Sequence, residues 1–154
     1  FSKLNPIYGT VSISGNGSDM QIGLLCGKLD NPGLISHCSV SGDVTSTVYA
    51  SNGGGTDAGL IVGQCESRLE YSVGTGNVTG VGYVGGLVGQ LRNNGYIEGC
   101  AFIGNVTATN PTSIAGDAVG SFAGGICGFA YNGTTIESCY ASGTITSNNY
   151  LFLI

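Results

Sequence analysis

The sequence predicts an all-β protein, a right-handed parallel β-solenoid of about four rungs with terminal caps. Three observations carry that expectation. The chain holds 29 Gly in 154 residues, only 8% charged residues and 42% hydrophobic ones; such a chain is too apolar for disorder and points to short strands joined by tight turns. Four segments align with one another: Gly23 to Thr45, Gly59 to Thr79, Gly86 to Thr107 and Gly125 to Thr146. Within them several columns of like residues recur together, which unrelated loops would not reproduce.

The columns define the elements. A glycine closes the first strand of each unit at Gly27, Gly63, Gly89 and Gly128. A second glycine follows at Gly42, Gly76, Gly104 and Gly143, fifteen residues later in three units and thirteen in the second. Seven residues before the second glycine stand Ile35, Leu69, Ile97 and Ile136, and four before it stand Cys38, Ser72, Cys100 and Cys139. Val44, Val78, Val106 and Ile145 lie two after it, followed directly by Thr45, Thr79, Thr107 and Thr146. Each unit reads as strand, turn, strand, glycine corner, strand, with period-two alternation in the later strands. One unit cannot bury its apolar side alone, whereas stacked units can. The Ile/Leu and Val columns are then the core and the Thr column faces outward. Residues 1–22 read as an N-terminal cap or degenerate rung, 23–146 as the repeats, and 147–154 as an apolar C-terminal strand or cap. Right-handedness follows from the general preference of parallel crossovers.

The pattern in "GGLVGQLRNNGYIEGCAFIGNV" (Gly85 to Val106) resembles the GLUG repeat of secreted adhesins and surface proteins. The resemblance covers roughly Gly23 to Thr146 and is clearest in the third and fourth units. The second unit departs from it, losing two residues and carrying Ser72 where the others have Cys. What the resemblance implies is an extracellular repeat module, one part of a longer surface protein, with no reaction and no catalytic residues to carry over.

Composition excludes several functions. With a net charge of −5 and four Lys plus Arg, the chain lacks the clustered cations that nucleic acid requires. No apolar run approaches the ~20 residues of a membrane helix. Six Cys suit an oxidising compartment, and with one His and no CxxC pair they form no metal signature. Cys26, Cys38, Cys65, Cys100, Cys127 and Cys139 are the candidate disulfide residues. Cys100 with Cys139 would join adjacent rungs, whereas Cys26 with Cys38 and Cys127 with Cys139 would close single rungs; a reduced, buried role is the third alternative. Candidate glycosylation sequons begin at Asn16, Asn77, Asn105 and Asn132.

Catalysis finds little support. His37 adjoins Cys38 in sequence, but alternation sends the two to opposite faces. Glu70, Glu98 and Glu137 share a column, and paired carboxylates about 5 to 10 Å apart in a cleft would suit a glycosidase. A solvated acidic face that discourages sideways aggregation is the preferred reading over catalysis or cation binding. The eight tyrosines fall at scattered repeat positions with no platform. The expectation is a non-enzymatic structural or adhesive protein, extracellular or on the cell surface, needing no cofactor or metal. Its expected partners are copies of itself end to end, neighbouring repeats, or surface glycans. The alternative is a carbohydrate-binding or polysaccharide-active domain of the same architecture.

Overall fold

The structure is a computed structural model of the full chain, and it describes residues 7–14, 20–48, 55–109, 121–148 and 150–152. Nineteen strands lie among these residues, every pair of them parallel, in four stacked sheets. Sheet 1 holds β2 (Met20–Ile22), β6 (Thr56–Gly59), β10 (Gly82–Gly85), β14 (Phe122–Gly124) and β19 (Tyr150–Phe152). Sheet 2 holds β3 (Cys26–Leu29), β7 (Val62–Cys65), β11 (Val88–Leu91) and β15 (Cys127–Ala130). Sheet 3 holds β4 (Leu34–Ser36), β8 (Arg68–Glu70), β12 (Tyr96–Glu98) and β16 (Thr135–Glu137). Sheet 4 holds β1 (Ile7–Ile13), β5 (Ser39–Ser46), β9 (Val73–Gly80), β13 (Ala101–Ala108), β17 (Tyr140–Ser142) and β18 (Ile145–Ser147). Successive visits to sheets 1 to 4 make one coil, and four complete coils stack between β1 and β19. Among the described residues no helix is long and apolar enough to cross a membrane.

The ladders pair the columns that the sequence defines. Ile35, Leu69, Ile97 and Ile136 are partners across sheet 3, and Val44, Val78, Val106 and Ile145 across sheet 4. Leu69, Ile97, Val44, Val78 and Val106 are completely buried. Their order follows from stacking: each coil lies about 4.8 Å from the next, so every inward side chain sits on its equivalent. The coil-four members Ile136 and Ile145 are only partly buried, because no complete coil lies above them among the described residues.

Three details of the expected unit are corrected. Each coil has four strands, not three. The "GLL" and "GGL" segments are a corner between sheets 1 and 2 rather than a strand. In the ladder Gly85 pairs with Gly59 and Gly124, so Gly86 and Gly125 align with Leu60 instead. At this corner the chain folds back so tightly that backbone meets backbone. A Cβ on Gly85 would lie 1.9 Å from the Val88 carbonyl oxygen, and one on Gly89 would lie 2.4 Å from the Ala58 nitrogen. The spacing of the two glycines in the motif thus marks the closest approach of two sheets.

The second glycine column is not a corner either. Gly42, Gly76 and Gly104 lie inside β5, β9 and β13 and pair with each other. The turn from sheet 3 into sheet 4 is made by the column His37, Tyr71, Gly99 and Ser138, all left-handed with φ between 46° and 60°. Alternation alone could not reveal this, because three of the four residues there are not glycine.

Candidate functional site

The expected acidic ladder is present on sheet 3, where Ser36, Glu70, Glu98 and Glu137 are successive partners. Each carboxylate is held by a neighbour. Arg68 pairs with Glu70, the Tyr71 hydroxyl donates to Glu98 Oε1 at 3.0 Å, and the Tyr96 hydroxyl donates to Glu137. That bond raises the Tyr96 hydroxyl above the ordinary tyrosine range. The three acids stand in a row on one sheet rather than facing each other across a cleft. His37 stacks on Tyr71, ring centroids 5.4 Å apart, whereas Cys38 packs against the core, so no nucleophile–base pair forms there.

All six cysteines are free thiols. The candidate pairings Cys100–Cys139, Cys26–Cys38 and Cys127–Cys139 are not formed. Cys38, Ser72, Cys100 and Cys139 instead build a ladder in which each side chain bonds the carbonyl two residues back, as Cys100 Sγ does to Glu98 at 3.2 Å and Ser72 Oγ to Glu70 at 2.8 Å. Ser72 therefore keeps the geometry of the column it interrupts. Cys139 follows Cys100 in this ladder, and the interaction of the two thiols raises Cys100 and lowers Cys139 from the ordinary thiol value.

Burial pushes the Cys65 thiol up to about 11 and the Cys127 thiol up to about 12, from an ordinary value of 9.0. Above pH 9 the unfolded chain loses these protons while the folded chain keeps them, so stability present below pH 9 is lost as pH rises toward 12. Urea titrations across pH 7 to 12 should show that decline. Cys127→Val places in coil four the residue that Val62 and Val88 supply in the same column. It should change stability at pH 7 by less than ~1.5 kcal/mol and remove part of the alkaline loss. Superposable profiles for the variant and the parent would contradict this assignment.

The sequon residues divide by position. Asn16 lies outside the described residues. Asn77 and Asn105 belong to an exposed amide ladder on sheet 4: Asn77 Nδ2 donates to Asp43 Oδ1 at 2.8 Å, and Asn105 Nδ2 donates to Asn77 Oδ1 at 3.0 Å. Asn105 Oδ1 then accepts from the Thr144 N–H at 3.0 Å. Asn132 is exposed on the turn between β15 and β16.

That turn belongs to a ridge joining sheets 2 and 3, on which the backbone bonds stack Asp30, Glu66, Arg92 and Tyr131. Lys28 bridges Asp30 at 2.7 Å and Glu66 at 3.4 Å; Glu66 in turn lies 3.8 Å from Arg92. The Arg92 guanidinium sits over Tyr131, 5.3 Å from the ring centre. Beside it Tyr83, Phe122, Phe129 and Tyr131 form one cluster, with neighbouring ring centroids 4.8 to 5.3 Å apart. Two of the tyrosines that look scattered in sequence are thereby brought together. The signal was present in the columns, since these positions turn from polar to aromatic only in coils three and four. An open groove of about 620 Å³ runs between Arg92, Asn93, Asn94, Phe129, Tyr131 and Asn132. A second one, of about 470 Å³, opens at the other end of the stack between Leu25, Cys26, Leu29, Leu34, Ile35 and Cys38. Among the described residues no group of three or more His, Cys, Asp or Glu is arranged to hold a metal ion.

Stacked parallel coils, glycine corners and columns of apolar residues define a β-solenoid repeat protein, and the GLUG motif matches it twice, over residues 18–45 and 118–146. The chain is a β-solenoid that carries the GLUG motif at these two places, and the coils between the two matches share the same ladders. Over 87 residues, 55% of its length, it is 38% identical to Halomucin of Haloquadratum walsbyi (strain DSM 16790 / HBSQ001), a stretch that spans 1% of Halomucin. No solved structure matches the chain.

Proposed function

We propose that the chain is a non-enzymatic structural and adhesive module of an extracellular or cell-surface protein, in which the solenoid continues through both ends. The observation that carries this reading is the state of the end faces. β1 pairs with β5 over its full length, so among the described residues sheet 4 extends a strand beyond the other three sheets at one end. β19 pairs with β14, so at the other end sheet 1 does the same. At the β1 end, the edge strands β3 and β4 leave the apolar groove of Leu25, Leu29 and Ile35 uncovered among the described residues. A further coil carrying the same columns would cover it with backbone hydrogen bonds and apolar contacts in register. The GLUG motif and the likeness to Halomucin, whose name is that of a mucin, support the extracellular setting. The acidic row on sheet 3 supports a solvated side that resists lateral association, leaving growth along the solenoid axis.

Electron microscopy of the native material, labelled with an antibody to this chain, tests the reading. Label on rods or on the outer cell surface is expected. Label confined to the cell interior, or a polysaccharide hydrolase activity abolished by Glu98→Gln with Glu137→Gln, would overturn it.

A further inference from the structure

The aromatic cluster is not something the solenoid requires. On sheet 1 the outward column runs Gln21, Asp57, Tyr83, Phe122, and on sheet 2 it runs Lys28, Gln64, Gln90, Phe129. On the ridge the column Asp30, Glu66, Arg92, Tyr131 changes in the same direction. Coils one and two stack through the same ladders with Gln, Lys, Asp and Glu in these places, so the ladder does not select the rings. Coils three and four therefore carry a local feature superimposed on the repeat, and it borders the 620 Å³ groove.

We propose that this groove is a binding site for a neutral saccharide. A sugar ring presents an apolar C–H face and a rim of hydroxyls, and the groove offers a counterpart to each. Tyr131 is 43% exposed and braced from the side by Phe129, 4.9 Å away in an edge-on arrangement. It offers a rigid amphipathic surface that needs little ordering on contact. Asn93, Asn94 and Asn132 bring side-chain amides, each with two donors and an acceptor, to the same groove. The first two are held at φ 51° and 64°, and Asn93 is anchored by donating to Glu66 Oε2 at 2.7 Å. A few polar groups set beside aromatic surface is the usual composition of a small-ligand site. Charge decides between neutral and acidic sugars. Arg92 is the one cation among the groove residues, and Glu66 lies 3.8 Å from its Nε. An acidic sugar would have to compete with that carboxylate; a neutral one would not.

The test is a glycan array carrying neutral and acidic oligosaccharides, followed by calorimetric titration of the best neutral hit in solution. Saturable binding of a neutral glycan is expected, weakened at least about tenfold by Tyr131→Ala, on the scale of a lost central aromatic contact. Tyr140→Ala removes a ring 61% exposed on sheet 4 and should leave the affinity unchanged. Thermal melts of both variants should overlay the parent's, separating lost contact from lost fold. Binding of acidic glycans alone, binding of no neutral glycan, or equal affinity in the Tyr131→Ala variant would overturn the proposal. None of these outcomes bears on the microscopy above, which tests the end faces and the setting.

Discussion

Gly104→Ala is expected to prevent the native stack from forming, while Gly9→Ala is expected to be tolerated. The glycines of sheet 4 form a ladder in which Gly9 pairs with Gly42, Gly42 with Gly76 and Gly76 with Gly104. Gly104 has φ +155°, and a Cβ there would sit 1.7 Å from the Gly76 carbonyl oxygen. That oxygen belongs to the ladder and cannot swing away as a side chain would. Relief requires coils two and three to separate along their longest strands, a cost on the order of the whole 5–15 kcal/mol that holds a domain together. Gly9, at the free edge, meets only the Leu24 Cδ2 methyl at 3.7 Å, an ordinary contact. Urea unfolding followed by circular dichroism checks both: Gly9→Ala should shift stability by no more than about 1 kcal/mol, and Gly104→Ala should show no cooperative transition. A cooperative Gly104→Ala protein with the parent's midpoint would refute the close-packed ladder.

Phe102→Ala should cost about 3–5 kcal/mol, near the top of the range for aromatic truncations in a core. Among the described residues Phe102 is the largest fully buried side chain, and its ring fills space left by the missing side chain of Gly86. A void there would be walled partly by backbone already tied into the stack: the Gly86 N–H donates to Gly124 at 3.1 Å, and the Gly86 carbonyl accepts from Leu60 at 3.2 Å. Such a wall cannot collapse inward, so the lost packing is not recovered. Calorimetric melting gives the number directly, and a loss below ~1 kcal/mol would mean that the cavity closes.

Sequence and structure agree where the physics is one of repetition. The Ile, Val, Thr, Glu and Cys/Ser columns all stack as their spacing indicates, because a parallel ladder forces equivalent residues together. Where the sequence misled, one residue type was serving several purposes. Gly104 looked like a corner because glycine often is one, yet it sits mid-strand where two backbones touch. The true corner at His37, Tyr71 and Ser138 carried no glycine to announce it. Gly86 was aligned by motif with Gly59, although the extra glycine of "GGLVG" actually replaces Leu60 and makes room for Phe102. The aromatic groove was hidden for another reason: its rings come from sheets 1 and 2 and from the ridge. Their meeting depends on the fold-back between β14 and β15 in coil four, and on Tyr83 lying beneath Phe122 in the ladder.

The exchange of bulk between coils two and three also has a consequence for assembly. In coil two Leu60 is large and Gly74 small; in coil three Gly86 is small and Phe102 large. A chain made of near-identical turns can miscount, laying one coil where its neighbour belongs with most hydrogen bonds intact. If β13 were to slip down by one coil, Phe102 would be forced into the place that Leu60 requires to be empty. The paired sizes act as a tooth and notch between coils two and three, so that the third turn fits its own position and is rejected by that of the second.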